Sequence, residues 1–201
     1  MRNVEFKVYY FEELNEEAKK KAIEDYRRGG TWELWDNDNL SEYFKERLME
    51  YGFYDDVQIE FSLVYCQGDG VAFYGEIDFS IWLKNHQDHF TKKELKRLEW
   101  LNEECGVELF TTRNSYGYCY SHYNTMDINA TYNEYRGFRD SDLLDEVLDK
   151  VERLLKDEVV ELSCDFESIG YEKKEYKNGD EYIIESIVAN EYEFMEDGSR
   201  Y

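Results

Sequence analysis

Val57–Leu83 reads VQIEFSLVYCQGDGVAFYGEIDFSIWL, and its alternation decides the fold class. Val57, Ile59, Phe61, Leu63 and Tyr65 alternate with Gln58, Glu60 and Ser62. Past Gly68-Asp69-Gly70, the residues Phe73, Ile77, Phe79, Ile81 and Leu83 alternate with Tyr74, Glu76, Asp78, Ser80 and Trp82. Successive side chains of a strand point to opposite faces, so a period of two marks a half-buried strand. Two such runs around Gly-Asp-Gly predict an antiparallel hairpin. In its turn, Gly supplies positive φ and Asp69 bonds the backbone. Phosphate is a poor ligand for this loop, because Asp69 repels it and no Lys is present. Calcium fits no better, because the acidic ladder and terminal Glu of an EF-hand loop are missing. Cys66 has no Lys, Arg or His following it to activate its thiol.

Upstream, Val4–Phe11 reads as a strand in which Val4, Phe6 and Val8 alternate with Glu5 and Lys7. Asn15 predicts an N-cap for a helix to about Arg28, with Leu14, Ala18, Ala22, Ile23 and Tyr26 on one face and Gly29-Gly30 as the stop. A second helix is predicted over about Leu40–Tyr51, with Tyr43, Phe44 and Leu48 inward. Downstream, Asn85–Phe90 reads as an exposed loop, and Thr91 with Glu94 forms a capping box for a helix that ends at Gly106. Val107–Thr112, Tyr116–Tyr123 and Met126–Tyr132 read as strands. Asp140 or Ser141 caps a long helix in which Leu143, Leu144, Val147, Leu148, Val151, Leu154, Leu155 and Leu162 recur at three and four residues. That helix continues toward Tyr176 and breaks at Lys177-Asn178-Gly179. Tyr182–Ala189 predicts a last short helix and Glu191–Met195 a final strand. The expected fold is α+β: an antiparallel sheet of about five strands, helices packed on one face, and a long C-terminal helix. It forms a single domain over 1–201, whose acidic C-terminal helical part spans about 140–190.

The charge is the strongest functional signal. The chain carries 47 Asp and Glu against 24 Lys and Arg, a net charge of −23, yet is 42% hydrophobic, so it folds rather than forming a disordered acidic tail. By segment, residues 1–83 hold 19 acids and 9 bases, 84–139 hold 8 and 8, and 140–201 hold 20 and 7. Both ends are acidic and the middle is balanced. Such a surface repels nucleic acid and anionic membrane and steers basic proteins toward it. No run of apolar residues approaches the length of a bilayer span. Met1–Phe11 carries Arg2, Glu5 and Lys7 and no apolar signal core. Cys66, Cys105, Cys119 and Cys164 form no C-x-x-C pair. The expectation is a cytoplasmic protein with reduced thiols.

Three stretches carry a resemblance. Val8–Leu14 (VYYFEEL) leads into Ala18–Arg27; Ser62–Gly75 reads SLVYCQGDGVAFYG; Ala189–Gly198 reads ANEYEFMEDG. In order and spacing they resemble a widespread group of small acidic proteins of phages and prophages, some labelled antitoxin-like. The resemblance implies a phage or mobile-element origin and binding to a host or defence protein. It transfers no catalytic residue.

Other constellations yield no chemistry. His86-x-x-His89 with Asp88, and the distant His122, are too few and too scattered to predict a metal site. Cys119 and His122, three apart on a strand, point to opposite faces, so a triad with Asp127 fails. Tyr116, Tyr118, Tyr120, Tyr123, Tyr132 and Tyr135 offer stacking surfaces, but only Arg113, Arg136 and Arg139 lie near and the net charge of −23 opposes nucleic acid, so a protein interface rich in Tyr and Arg is as good a reading. The expectation is therefore a protein that is not an enzyme and uses no cofactor. Its first reading is a phage-encoded DNA mimic, an anti-restriction or anti-CRISPR type of inhibitor of a basic host or defence protein. The carboxylates assigned to the partner are Asp142, Asp145, Glu146, Asp149, Glu152, Asp157, Glu158 and Glu161, with a second patch at Glu12, Glu13, Glu16, Glu17 and Glu24. Its alternative is an antitoxin-like adaptor or regulator that binds through the Tyr-rich sheet and the 62–75 hairpin.

Overall fold

The computed structural model describes residues 7–114, 120–133 and 141–201, with the side chains of 141–143 left out. The fold is α+β, and the chain divides into two compact units: residues up to Asn37 with Gly170–Tyr201, and Asp38–Ile169.

In the larger unit, strands β2 (Gln58–Ser62), β3 (Gly70–Ile77), β4 (Val107–Arg113) and β5 (Met126–Tyr132) form an antiparallel sheet in the order β2-β3-β4-β5. The hairpin is present, with Ile59 opposite Phe73 and Phe61 opposite Val71. β3 then turns its last residues to β4, pairing Gly75 with Thr111 and Ile77 with Leu109. Gly75 sits at a close approach: a Cβ there would meet the Val57 Cα at 3.2 Å. Helices α2 (Leu34–Glu50) and α5 (Ser141–Asn178) contribute residues to both units. Within the larger unit Phe44 of α2 stacks on Phe166 of α5 at 4.4 Å, and Phe166 meets Phe73 of β3 at 6.0 Å. Phe44, Phe73, Leu98, Leu101, Leu109 and Leu155 are fully buried with them, so the helices cover the sheet through large apolar side chains.

The second half of the alternating run is helix rather than strand. β3 stops at Ile77, and α3 (Phe79–His86) begins after Asp78, whose carboxylate accepts from the Ser80 and Ile81 N–H groups at 2.8 and 3.1 Å. Phe79, Ile81 and Leu83 fit a period of two, but Phe79, Trp82 and Leu83 fit a helical face equally well. The cap decides between them: Phe79, Trp82 and Leu83 are buried and Ile81 is 44% exposed. The expected loop at 85–90 is accordingly the end of α3 and a 3₁₀ turn, Gln87–His89. α4 (Lys92–Cys105) starts at the Thr91/Glu94 capping box and stops at Gly106. Of the expected strand Tyr116–Tyr123, residues 116–119 lie outside the described residues, and Tyr123 opens a 3₁₀ turn instead. The 3₁₀ turn follows from His122, whose ring nitrogen accepts from the Asn124 N–H.

The smaller unit holds the two-stranded pairing of β1 (Tyr9–Tyr10) with β6 (Glu193–Phe194), helix α1 (Glu16–Gly29) and helix α6 (Asp180–Ala189). Residues 4–6 of the expected first strand lie outside the described residues. The Asn15 side chain caps α1 through the Glu17 and Ala18 N–H groups. Phe11, Leu14, Ala18, Ala22, Ile183, Ile187 and Phe194 form its core. Among the described residues, no helix is long and apolar enough to cross a membrane.

Candidate functional site

The backbone of α5 places its carboxylates by helical geometry, 1.5 Å of rise and 100° per residue. Leu144, Val147, Leu148, Val151, Leu155, Val159 and Leu162 are buried along one side. Asp145, Glu146, Asp149, Glu152, Asp157 and Glu161 are exposed as a consequence. Among the described residues, Glu146, Asp149, Glu152, Asp157 and Glu161 form no ion pair, and Asp145 accepts from the Tyr132 hydroxyl at 3.0 Å. Arg153 and Lys156 interrupt the row, and Arg153 Nε donates to the Asp149 carbonyl at 3.2 Å. The side chain of Asp142 lies outside the described residues.

Glu158 departs from the expected outward row. Its carboxylate turns into the protein, accepting from Trp82 Nε1 at 2.8 Å and lying 3.0 Å from His86 Nε2. The Glu158 and His86 side chains are only 10% and 14% exposed. His86 stacks on Trp82 at 4.3 Å, and its Nδ1 is 2.8 Å from the Trp82 carbonyl. The periodicity carried this signal: Leu144, Val151 and Glu158 are seven apart, two turns of helix, so Glu158 occupies an inward position. Burial of His86 pulls its pKa down, but the bonds from Glu158 and the Trp82 carbonyl outweigh that and raise it.

In the smaller unit Glu12, Glu13, Glu16, Glu17 and Glu24 are all exposed. Part of this patch is compensated locally. Glu16 pairs with Lys19 and Glu24 with Arg28, both at 3.4 Å, and Glu13 accepts from the Tyr10 N–H at 2.8 Å. The carboxylates of α5 are thus the less neutralised of the two sets.

The hairpin loop is organised around Asp69, which is buried. Its Oδ2 accepts from the Val64 and Cys66 N–H groups at 2.7 and 3.0 Å, and its Oδ1 accepts from Ser62 Oγ at 2.8 Å and Cys66 Sγ at 3.2 Å. Gly70 has φ +149, whereas Gly68 is required for contact: a Cβ there would lie 2.2 Å from the Tyr120 ring. Asp69 therefore acts as an internal cap for a loop whose tip exposes Val64 and Tyr65, 67% and 63%. Glu167 of α5 is nearby; burial, then the Asp69 charge, push its pKa up. Among the described residues no group of three or more His, Cys, Asp or Glu is spaced to hold a metal ion.

Residues 35–180, most of the chain, match a domain of unknown function (DUF8835). The chain belongs to the DUF8835 family. The DUF8835 match takes in the 62–75 hairpin, the His86–Glu158 pair and the α5 carboxylates, while the Val8–Leu14, Ala18–Arg27 and Ala189–Gly198 stretches lie outside it. No curated protein and no solved structure matches the chain.

Proposed function

We propose that this DUF8835 protein is an acidic binding protein that occupies a basic, nucleic-acid-binding surface of another protein. The resemblance to phage proteins makes a host restriction or CRISPR effector the class of partner, and inhibition by DNA mimicry the mode. The supporting observation is the carboxylate row of α5, in which Glu146, Asp149, Glu152, Asp157 and Glu161 form no ion pair among the described residues although Arg153 and Lys156 interrupt it, on a helix whose opposite side is buried. Residues three or four apart rise about 4.5–6 Å, against one phosphate per about 3.4 Å along each DNA strand. Placement on a helix spares the row the cost of ordering its backbone when it meets a basic groove. The Ser62 hydroxyl and Cys66 thiol do meet a carboxylate, Asp69, but that carboxylate also accepts from the Val64 and Cys66 N–H groups and so serves to brace the loop, which favours binding over catalysis.

The test is a pull-down from host lysate across a salt series, with duplex DNA as competitor. The variant reverses Glu146, Asp149, Glu152 and Asp157 to Lys and spares Asp145, which holds Tyr132. Under this reading the protein captured by wild type is a nucleic-acid-binding protein, is released by salt and by DNA, and is not captured by the variant. Equal capture by both forms, insensitive to salt, would sink it. That outcome would instead favour an adaptor binding through the hairpin, a reading supported by the exposed Val64 and Tyr65 at its tip.

A further inference from the structure

In the smaller unit, four side chains from two sequence-distant stretches, 32–36 and 182, converge on one ammonium group. Lys177 Nζ lies 4.3 Å from the ring centroid of Trp35, 5.3 Å from Tyr182 and 5.9 Å from Trp32. It also forms an ion pair with Asp36 Oδ1, and the two side chains are only 13% and 6% exposed. A cation within about 6 Å of an aromatic face is held by the ring quadrupole, and more strongly when water is excluded. Burial pulls the Lys177 pKa down, but its hydrogen bonds to Asp36 and Tyr182 outweigh this and raise it, so the group is an ammonium.

The walls of this cage do not depend on their occupant. Trp32 Nε1 donates to Asn37 Oδ1 at 2.7 Å, and Trp35 Nε1 donates to Glu33 Oε2 at 2.6 Å. Asp36 Oδ2 accepts from the Glu33 N–H at 2.9 Å, which leaves Oδ1 for the cation. The Tyr182 ring leans on Tyr176 at 5.6 Å. Each wall is therefore oriented by a contact that Lys177 does not make. Trp35 is 51% exposed, so one wall of the cage borders water.

We propose that Trp32, Trp35, Tyr182 and Asp36 form a preorganised recognition site for a primary alkylammonium group. Lys177 is its resident occupant, and a lysine side chain of a basic polypeptide is the external ligand that exchanges for it. The resident lowers apparent affinity for the external ligand by holding the competent state at a small fraction. Aromatic walls and a single carboxylate suit a compact ammonium; the planar fork of a guanidinium calls for a bidentate acceptor, and Asp36 Oδ2 is already engaged. This site is separate from the α5 carboxylates and stands whether or not they bind a partner.

The experiment titrates wild type, K177A and W35A/K177A with n-butylammonium chloride, following indole fluorescence and melting temperature. Sodium chloride and n-butanol serve as controls. K177A is expected to saturate at least tenfold more tightly than wild type and to gain melting temperature with n-butylammonium alone. W35A/K177A is expected to lose that response. If K177A is unfolded, n-butylammonium but not n-butanol restores its cooperative transition. A folded K177A that fails to saturate, an unfolded one that is not rescued, or an equal response from W35A/K177A overturns the cage. Exchange is read in wild type by adding an oligolysine peptide and watching the Trp35 indole N–H resonance. A shift with oligolysine and a tenfold weaker one with oligoarginine supports the ligand class, and no shift overturns it.

Discussion

His86 Nε2 stands 3.0 Å from Glu158 Oε1 while His86 Nδ1 stands 2.8 Å from the Trp82 carbonyl, so both ring nitrogens face acceptors. Only the doubly protonated imidazole satisfies both contacts. His89 lies 6.0 Å away ring to ring, and Glu158 of α5 supplies the counter-charge.

A pH dependence follows from that pair. The folded His86 pKa is raised, because the bonds to Glu158 and to the Trp82 carbonyl outweigh its burial. The stabilisation is complete below the ordinary histidine value of about 6.5 and is lost as pH rises through the higher folded value. Urea midpoints are expected to fall over that range in wild type and to stay level in E158Q. Parallel curves for the two proteins would remove His86 as the source.

Trp82→Phe keeps an aromatic ring against His86 but removes the Nε1 donor to Glu158. An acceptor left bare in a buried site, with the lost volume, costs about 2 kcal/mol or more. Chemical denaturation is the measure. Combining W82F with E158Q is expected to cost less than the sum of the two, since they break a shared contact. Strict additivity would show that the indole and the carboxylate act separately.

Gly68→Ala is expected to destabilise by roughly 1–3 kcal/mol, as overpacking does, because its Cβ would lie 2.2 Å from the Tyr120 ring. Removing that ring in G68A/Y120A should recover most of the loss. The melting temperatures of the single and double variants decide it, and a double variant no better than G68A would place the strain elsewhere in the loop.

Gly198 has φ +83, and a Cβ there would lie 2.1 Å from the backbone oxygen of Ala18. Backbone cannot move aside as a side chain can, so Gly198→Ala is expected to cost more than about 1 kcal/mol. Hydrogen exchange locates the damage: amides of α1 should lose protection, those of β3 and β4 should keep it. Unaltered α1 protection would contradict the contact.

Local rules carried much of the fold in the sequence. The Thr91/Glu94 box, the Asn15 cap, the 58–77 hairpin and the apolar face of α5 each depend on residues close in the chain. In the capping box, bonds from the Thr91 N–H and hydroxyl, with Lys150, hold the Glu94 carboxyl down at about 2. Where two periods fit one segment, as at Phe79–Leu83, only the Asp78 cap separates helix from strand, and alternation alone chose wrongly. At Glu158 charge and heptad position point opposite ways, and the inward position prevails because Trp82 and His86 meet the carboxylate there. The Lys177 cage had no local signature: Trp32 and Trp35 lie far from Lys177 in sequence, and only the folded chain joins them.

The pairing of Tyr9 with Phe194 has a consequence for synthesis. At a ribosome's pace of about 5–20 residues per second, roughly 10–40 s separate the appearance of β1 from that of β6. Throughout that delay Phe11, Leu14, Ala18 and Ala22 lack Ile183, Ile187 and Phe194, the residues that cover them. Asp38–Ile169, by contrast, is one uninterrupted stretch. Translation thus imposes an order of assembly, in which the nascent amino-terminal helix is the last apolar surface to be sheltered and the one a chaperone would meet.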